Sequence, residues 1–214
     1  MSAEHDHDTR SAPRRFSVED ARARAQQAIA KSEFILSRAY GLLREPKKEW
    51  EQIRAEETSI PNILIGYVAP LAAIPIVCDL IGQSLFNQAL QVDFGQAVIR
   101  AVITWIISIG IVFFLGVAVN VAAESFEAEK NELAAQKIAA YSYTPSFLAG
   151  VFLLWPPLGW LPLVALAAGV FLMYRGLPVL MRAPEETALG YAATVTIAAM
   201  IGTIILLAVG AAVT

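Results

Sequence analysis

The sequence is poor in the residues that most reactions and most covalent scaffolds require. Its 214 residues include one cysteine, Cys78, and two histidines, His5 and His7. A single thiol excludes an internal disulfide framework and a cysteine-rich metal site. Cys78 sits in an apolar run and reads as a small packed residue. His5 and His7 alternate with Asp6 and Asp8 in a polar stretch near Met1. Such a stretch offers little preorganisation, so solvated chain is a plainer reading than a metal site. Charge is also scarce beyond Pro61, since eleven of the sixteen Lys and Arg residues lie in the first sixty positions. No short apolar run precedes Ile60, so no cleavable signal peptide is expected.

Apolar residues, by contrast, are abundant. The chain is 57% hydrophobic with a mean hydropathy of +0.55, well above an ordinary soluble domain. A chain of this length could bury a normal core, so the excess apolar surface is expected to face lipid. The formal charge of −3 hides the asymmetry between a basic front and a sparsely charged remainder, and nothing in it points to nucleic acid.

Residues 1–16 carry a proline, several charges and no periodicity, which predicts a disordered tail. Residues 17–60 predict a cytoplasmic helical head. Ser17 suits a helix N-cap, Asp20 suits the first turn, and the Ala, Arg and Gln run to Lys31 favours helix. Phe34, Ile35, Leu36, Leu42 and Leu43 make the next turns more apolar. Pro46 can open a second short helix. On it Trp50 and Ile53 share a face beside Lys47, Lys48 and Arg54, a candidate interaction surface. Two readings stand open: a helix lying among lipid headgroups, or one packed on the protein's own membrane domain. Both place the segment at the cytoplasmic surface.

Residues 61–214 predict an all-α membrane domain of five transmembrane helices. A bilayer core takes about 20 apolar residues per helix. Pro61–Phe86 and Ala97–Ala123 supply two such blocks, joined by the polar loop Asn87–Gln96. A charged connector, Glu124–Lys137, follows. The block Ile138–Met181 is too long for one span, as roughly 40 helical residues would reach about 60 Å. It is interrupted by Trp155-Pro156-Pro157-Leu158-Gly159-Trp160-Leu161-Pro162, which breaks helix and offers two interfacial anchors. A tight hairpin between spans three and four is therefore expected. Arg182–Glu186 is a further polar loop and Leu189–Val213 the fifth span. With five spans and a cytoplasmic N-terminus, fifteen Lys and Arg fall inside and only Arg100 outside. Four spans would give thirteen against three, so a periplasmic C-terminus is expected.

Ionisable groups within spans are functional candidates. Asp79 and Arg100 lie toward the outer ends of two neighbouring spans and are expected to form an intramembrane ion pair. Separate snorkelling to water, or a substrate or proton site, are the alternatives. Asn120 and Glu124 read as solvated interface residues. Thr104, Ser108, Thr196 and Thr203 are the weakly polar positions at depth. No carboxylate pair, histidine relay, phosphate loop or nucleophile triad appears, so neither enzyme activity nor a cofactor is expected. Small residues at Ala165 and Gly169, and at Thr194, Ala198 and Gly202, allow close helix packing within the bundle or a homo-oligomer.

The order of several short motifs resembles the bacterial branch of the Yip family, membrane proteins named for binding Ypt/Rab GTPases. They include Pro46-Lys47-Lys48-Glu49-Trp50-Glu51-Gln52-Ile53, then Gly66-Tyr67, Pro70 and Pro75. Lys137, Tyr141, Tyr143 and Pro145 follow, with Pro157, Gly159, Tyr174-Arg175-Gly176-Leu177-Pro178, Met181 and Pro184. The resemblance implies five spans and a cytoplasmic N-terminus. Its eukaryotic members act in vesicle traffic, a role that does not carry over to a bacterial chain with a short head. The expected function is a non-enzymatic scaffold or adaptor in the cytoplasmic membrane, organising lipids or protein partners. The alternative is a small transporter or channel subunit, with prolines 70, 75 and 145 lining a pathway.

Overall fold

The computed structural model describes residues 18–86 and 94–213. The disordered-tail reading for residues 1–16, the His5–Asp8 run, the Ser17 cap and most of the Asn87–Gln96 loop lie outside the described residues. The chain divides into two compact units, Met1–Leu36 and Ser37–Thr214. The described part of the first unit forms the opening turns of helix α1 (Val18–Arg44). Its Ala, Arg and Gln residues have high helix propensity and many are exposed. Ser32 returns its hydroxyl to the Ile29 carbonyl at 2.8 Å.

In the second unit, α1 ends at Arg44 and α2 (Pro46–Ala55) begins one residue later. The break is local chemistry. A residue before proline is pushed out of the helical region, and Glu45 has φ −132° and ψ 61°. Ser59 caps α3 (Ile60–Ile63) by accepting from the Asn62 amide. A wide π-helical turn, Leu64–Val68, leads into α4 (Ala69–Phe86). Pro70 has no N–H to return to the preceding turn, and the widened segment ends beside it. Next come α5 (Phe94–Ala122), a 3₁₀ turn at Ala123–Phe126 and α6 (Glu132–Ser142). Asn131 caps α6 through the Ala134 amide at 2.9 Å. After α7 (Thr144–Ala149) the chain runs through 3₁₀ segments at Gly150–Leu154 and Pro156–Leu158. It closes with α8 (Leu161–Met181) and α9 (Glu185–Val213). No strand occurs among the described residues.

The core of the second unit surrounds α6, where every residue from Ala134 to Ser142 is buried. This helix packs against α5, α8 and α3. Tyr191 ties α9 to α5 by donating to the Val119 carbonyl and stacking on Phe126 at 4.7 Å. Arg182 ends α8 in the left-handed region (φ 52°), and its guanidinium reaches Glu129 at 2.9 Å.

The charged connector Glu124–Lys137 turns helical at Glu132, where α6 begins, and α6 buries Gln136 and Lys137. One expectation needs correction: no single regular helix runs from Ile138 to the hairpin. The chain breaks after Ser142, restarts with Pro145 in the first turn of α7, and continues as 3₁₀ turns to Leu154. The reversal itself is present: Trp155 and Trp160 flank the Pro156–Leu158 turn, both exposed, and α8 packs back along α7 and α6.

Among the described residues, three helical stretches are long and apolar enough to cross a bilayer: Ile60–Phe86, Gly95–Phe126 and Pro156–Met181. Large apolar side chains such as Ile65, Phe114 and Leu163 stay exposed on them, as lipid-facing residues would.

Candidate functional site: a buried ionic latch under helix α2

Helix α2 presents two chemically different faces. Glu49, Trp50, Ile53 and Glu56 recur at helical spacing and point one way, while Lys47, Lys48 and Arg54 stay exposed. Trp50 and Ile53 are fully buried. The headgroup-lying reading therefore fails for these two members of the predicted interaction surface, and the packed reading holds. An indole this bulky can seat only where its neighbour is small. A Cβ on Gly176 of α8 would come within 2.7 Å of the Trp50 ring, so the missing side chain makes the socket.

Four charges close around this socket. Arg38, near the end of α1, donates to Glu49 at 2.6 Å and to Glu56 at 3.0 Å. Its side chain is 9% exposed and that of Glu49 13%. Lys137 comes from α6, far along the chain. Its ammonium donates to the carbonyls of Ile53 at 2.7 Å and Glu56 at 2.6 Å. It thereby satisfies carbonyls at the C-terminal end of α2, where a cation is favoured. Burial pulls the Lys137 amine below its usual range, with the Glu56 carboxylate opposing that shift and Arg38 adding to it.

Tyr141, one turn beyond Lys137, fills the middle. Its ring meets Trp50 edge-on at 6.3 Å and Tyr67 at 4.6 Å, and the Arg38 guanidinium lies 5.7 Å from its centroid. The Tyr67 and Thr144 hydroxyls are 2.9 Å apart, linking the π turn to the start of α7. The latch thus joins the end of α1, α2, the first apolar helix, α6 and α8.

This arrangement has no exposed nucleophile with a base beside it. Its chemistry is mechanical and electrostatic. It fixes α2 and leaves Lys47, Lys48 and Arg54 facing outward, Lys48 with Glu45 at 3.5 Å. Among the described residues no three His, Cys, Asp or Glu side chains gather as metal ligands.

The second predicted constellation is only half assembled. Asp79 and Arg100 do line one cavity, yet no ion pair within 4 Å joins them among the described residues. Asp79 instead accepts from Gln83, one turn along α4, at 2.6 Å. The short i to i+4 reach on one helix is available without bringing two helices together, and the expected pair is left open. Glu124 is exposed and pairs with Lys130 at 2.9 Å, while Asn120 is half-buried. Gly169 is buried as close packing requires, but Thr194 and Ala198 are exposed.

A bundle of apolar helices with exposed greasy flanks and a buried polar latch defines a membrane protein with transmembrane helices. Comparison with known proteins agrees and refines this. The Yip1 domain family matches residues 40–207, and the chain belongs to that family. Two curated relatives are similar over 169 residues at 25% identity, covering 74% of this chain and 86% of their own length. Both are called "Inner membrane protein YohC", one from Escherichia coli strain K12 and one from Escherichia coli O6:H1. No solved structure matches the chain.

Proposed function

We propose that this Yip1-domain protein is a non-enzymatic scaffold of a bacterial cytoplasmic membrane. It would hold a rigid basic helix face toward the cytoplasm to organise anionic lipids or protein partners. The observation that carries this reading is the latch. Buried Arg38 and Lys137 hold the inner face of α2, and Lys47, Lys48 and Arg54 are left outward on a helix fixed by Trp50. The reading takes five spans, with the irregular stretch from Ile138 through α7 and the 3₁₀ turns as the third and α9 as the fifth. The bias of Lys and Arg then puts the N-terminus in the cytoplasm and the C-terminus in the periplasm. Exposed Thr194 and Ala198 offer a face for a second copy.

The test is charge reversal at Lys47, Lys48 and Arg54 together in the full chain. Insertion into membranes should be unchanged, because the apolar spans are untouched. Flotation with anionic vesicles tethered to the cytoplasmic face, and chemical cross-links to neighbouring proteins, should both be lost. Retention of both would remove the surface from the proposal. Reporter fusions at Glu129 and after Thr214 should read cytoplasmic and periplasmic; a cytoplasmic C-terminus would overturn five spans. Solute flux in proteoliposomes above the empty-vesicle rate, lost on replacing Thr104, Ser108, Thr196 and Thr203, would establish the transporter alternative.

A further inference from the structure

A cavity of about 370 Å³ lies between α4 and α5, away from the latch. Its origin is visible in the packing. Gly150, bare of a side chain, lets Pro75 of α4 approach so closely that a Cβ there would sit 2.5 Å from the proline ring. Helix α4 is thus drawn onto the Gly150–Leu154 segment. On the opposite side α5 presents Ala97, Ala101, Thr104 and Ser108, spaced as one helical stripe. These short side chains cannot fill the space, and a chamber remains.

The chamber is charged at one end and apolar along its length. Asp79 stands about two turns before the end of α4, and Arg100 about two turns into α5. Ser108 lies about four turns into α5, so the cavity reaches well down the helix pair. Pro75, Ile76, Leu80 and Leu153 supply apolar wall. Both helices belong to stretches able to cross a bilayer, where an unpaired charge is costly. Yet Asp79 and Arg100 do not neutralise each other. A single molecule with both charges would satisfy them at once.

Donors and acceptors narrow its chemistry. Gln83 gives one amide hydrogen to Asp79 and keeps a second N–H beside its acceptor carbonyl oxygen. Thr104 and Ser108 give their hydroxyl hydrogens to the Arg100 and Thr104 carbonyls, at 2.8 Å each. These two hydroxyls can only accept from a ligand. The lining therefore has one strong donor, Arg100, against several acceptors. We infer that this cavity binds a zwitterionic phospholipid headgroup of the phosphate–primary ammonium type. The phosphate would face Arg100, the ammonium Asp79 and Gln83, and the start of an acyl chain the apolar wall. A quaternary ammonium carries the same charge but has no N–H to give, and a glycerol headgroup has no cation for Asp79.

The test uses the full chain in lipid nanodiscs or mild detergent, read by native mass spectrometry. The probes are ethanolamine, choline and glycerol phospholipids with identical acyl chains. The ethanolamine lipid should be retained about tenfold better than the others, as one charge-assisted contact allows. Asp79→Asn and Arg100→Gln should each erase that preference. Ala101→Phe should block the chamber without touching a charge and remove retention altogether. Elution profile and melting temperature identify any variant that misfolds, and the three-lipid comparison on the unmodified chain stands without variants. Equal retention of the three lipids, or a preference that survives Asp79→Asn, overturns the inference. Displacement of the lipid by equimolar free phosphoethanolamine would overturn the lipid as occupant in favour of a small zwitterion.

Discussion

Two charged clusters in this molecule have opposite fates. Under α2, Arg38, Glu49, Glu56 and Lys137 are drawn from three helices and find one another or carbonyls within about 3 Å. Between α4 and α5, Asp79 and Arg100 lie on neighbouring helices beside one cavity and stay apart. The difference is what surrounds them. In the latch, Trp50 seated on Gly176 and Tyr141 packed beside it force the elements into contact. At the cavity, small side chains on α5 leave the helices nothing to close upon. Proximity in sequence logic is not contact; bulky packing around a pair is what completes it.

The contrast is sharpest if one member of each cluster is removed. Arg38→Met leaves the half-buried Glu49 and Glu56 beside an apolar chain, and should cost about 3 kcal/mol, the lower end for a buried pair. Thermal unfolding in detergent should show it as a large drop in melting temperature. Lys137→Met should fall in the same range, because it strands two carbonyls at the end of α2. A loss below about 1 kcal/mol for either would mean that the latch is no tighter than an exposed pair.

The socket comes next in size. Gly176→Ala places a methyl group against the indole and should destabilise by about 1–3 kcal/mol. Trp50→Phe keeps most of the ring and removes an indole N–H that has no partner, so it should cost under about 1.5 kcal/mol. If Trp50→Phe proves the worse of the two, Gly176 is not what shapes the socket.

A smaller effect tests the amine. The folded-state pKa of Lys137 lies below its ordinary value, so the folded protein releases this proton before the unfolded chain does. The contribution of Lys137 to stability must then rise as pH climbs from the lowered value toward 10.5. The stability difference between the unmodified protein and Lys137→Met should therefore widen over that alkaline window. A flat difference would place the amine in water.

The least change belongs to the open pair. In the lipid-free protein, Asp79→Asn and Arg100→Gln should each shift stability by under about 1 kcal/mol, and their double-mutant cycle should show coupling near zero. Coupling comparable to that between Arg38 and Glu49 would close the pair and erase the contrast.

Parts of both clusters were legible beforehand. Asp79 and Arg100 stood out because charge is rare in apolar spans. Lys47, Lys48, Trp50, Ile53 and Arg54 stood out as a basic and aromatic patch, but period alone could not say which face of α2 would be covered. Lys137 was the harder residue. Its sequence neighbourhood reads as the end of a charged connector, although it lies within the Ala-rich run Ala134–Ala140 that packs as core. Arg38, Glu49 and Glu56 resemble any solvated helix charges until α6 supplies a roof over them.

The sequence alone determined what is local or additive. Apolar length set the membrane-crossing segments, Pro46 set the break before α2, and the Trp155–Trp160 run set the reversal ahead of α8. Each depends on backbone chemistry or on summed hydrophobicity, which neighbouring residues already specify. Tertiary structure decided which charges are buried together, which glycine accepts Trp50, why the third apolar block is irregular and where a cavity persists. Those outcomes depend on distances between residues far apart in the chain, such as Lys137 and Ile53, 84 positions apart, and only packed side-chain volume sets such distances.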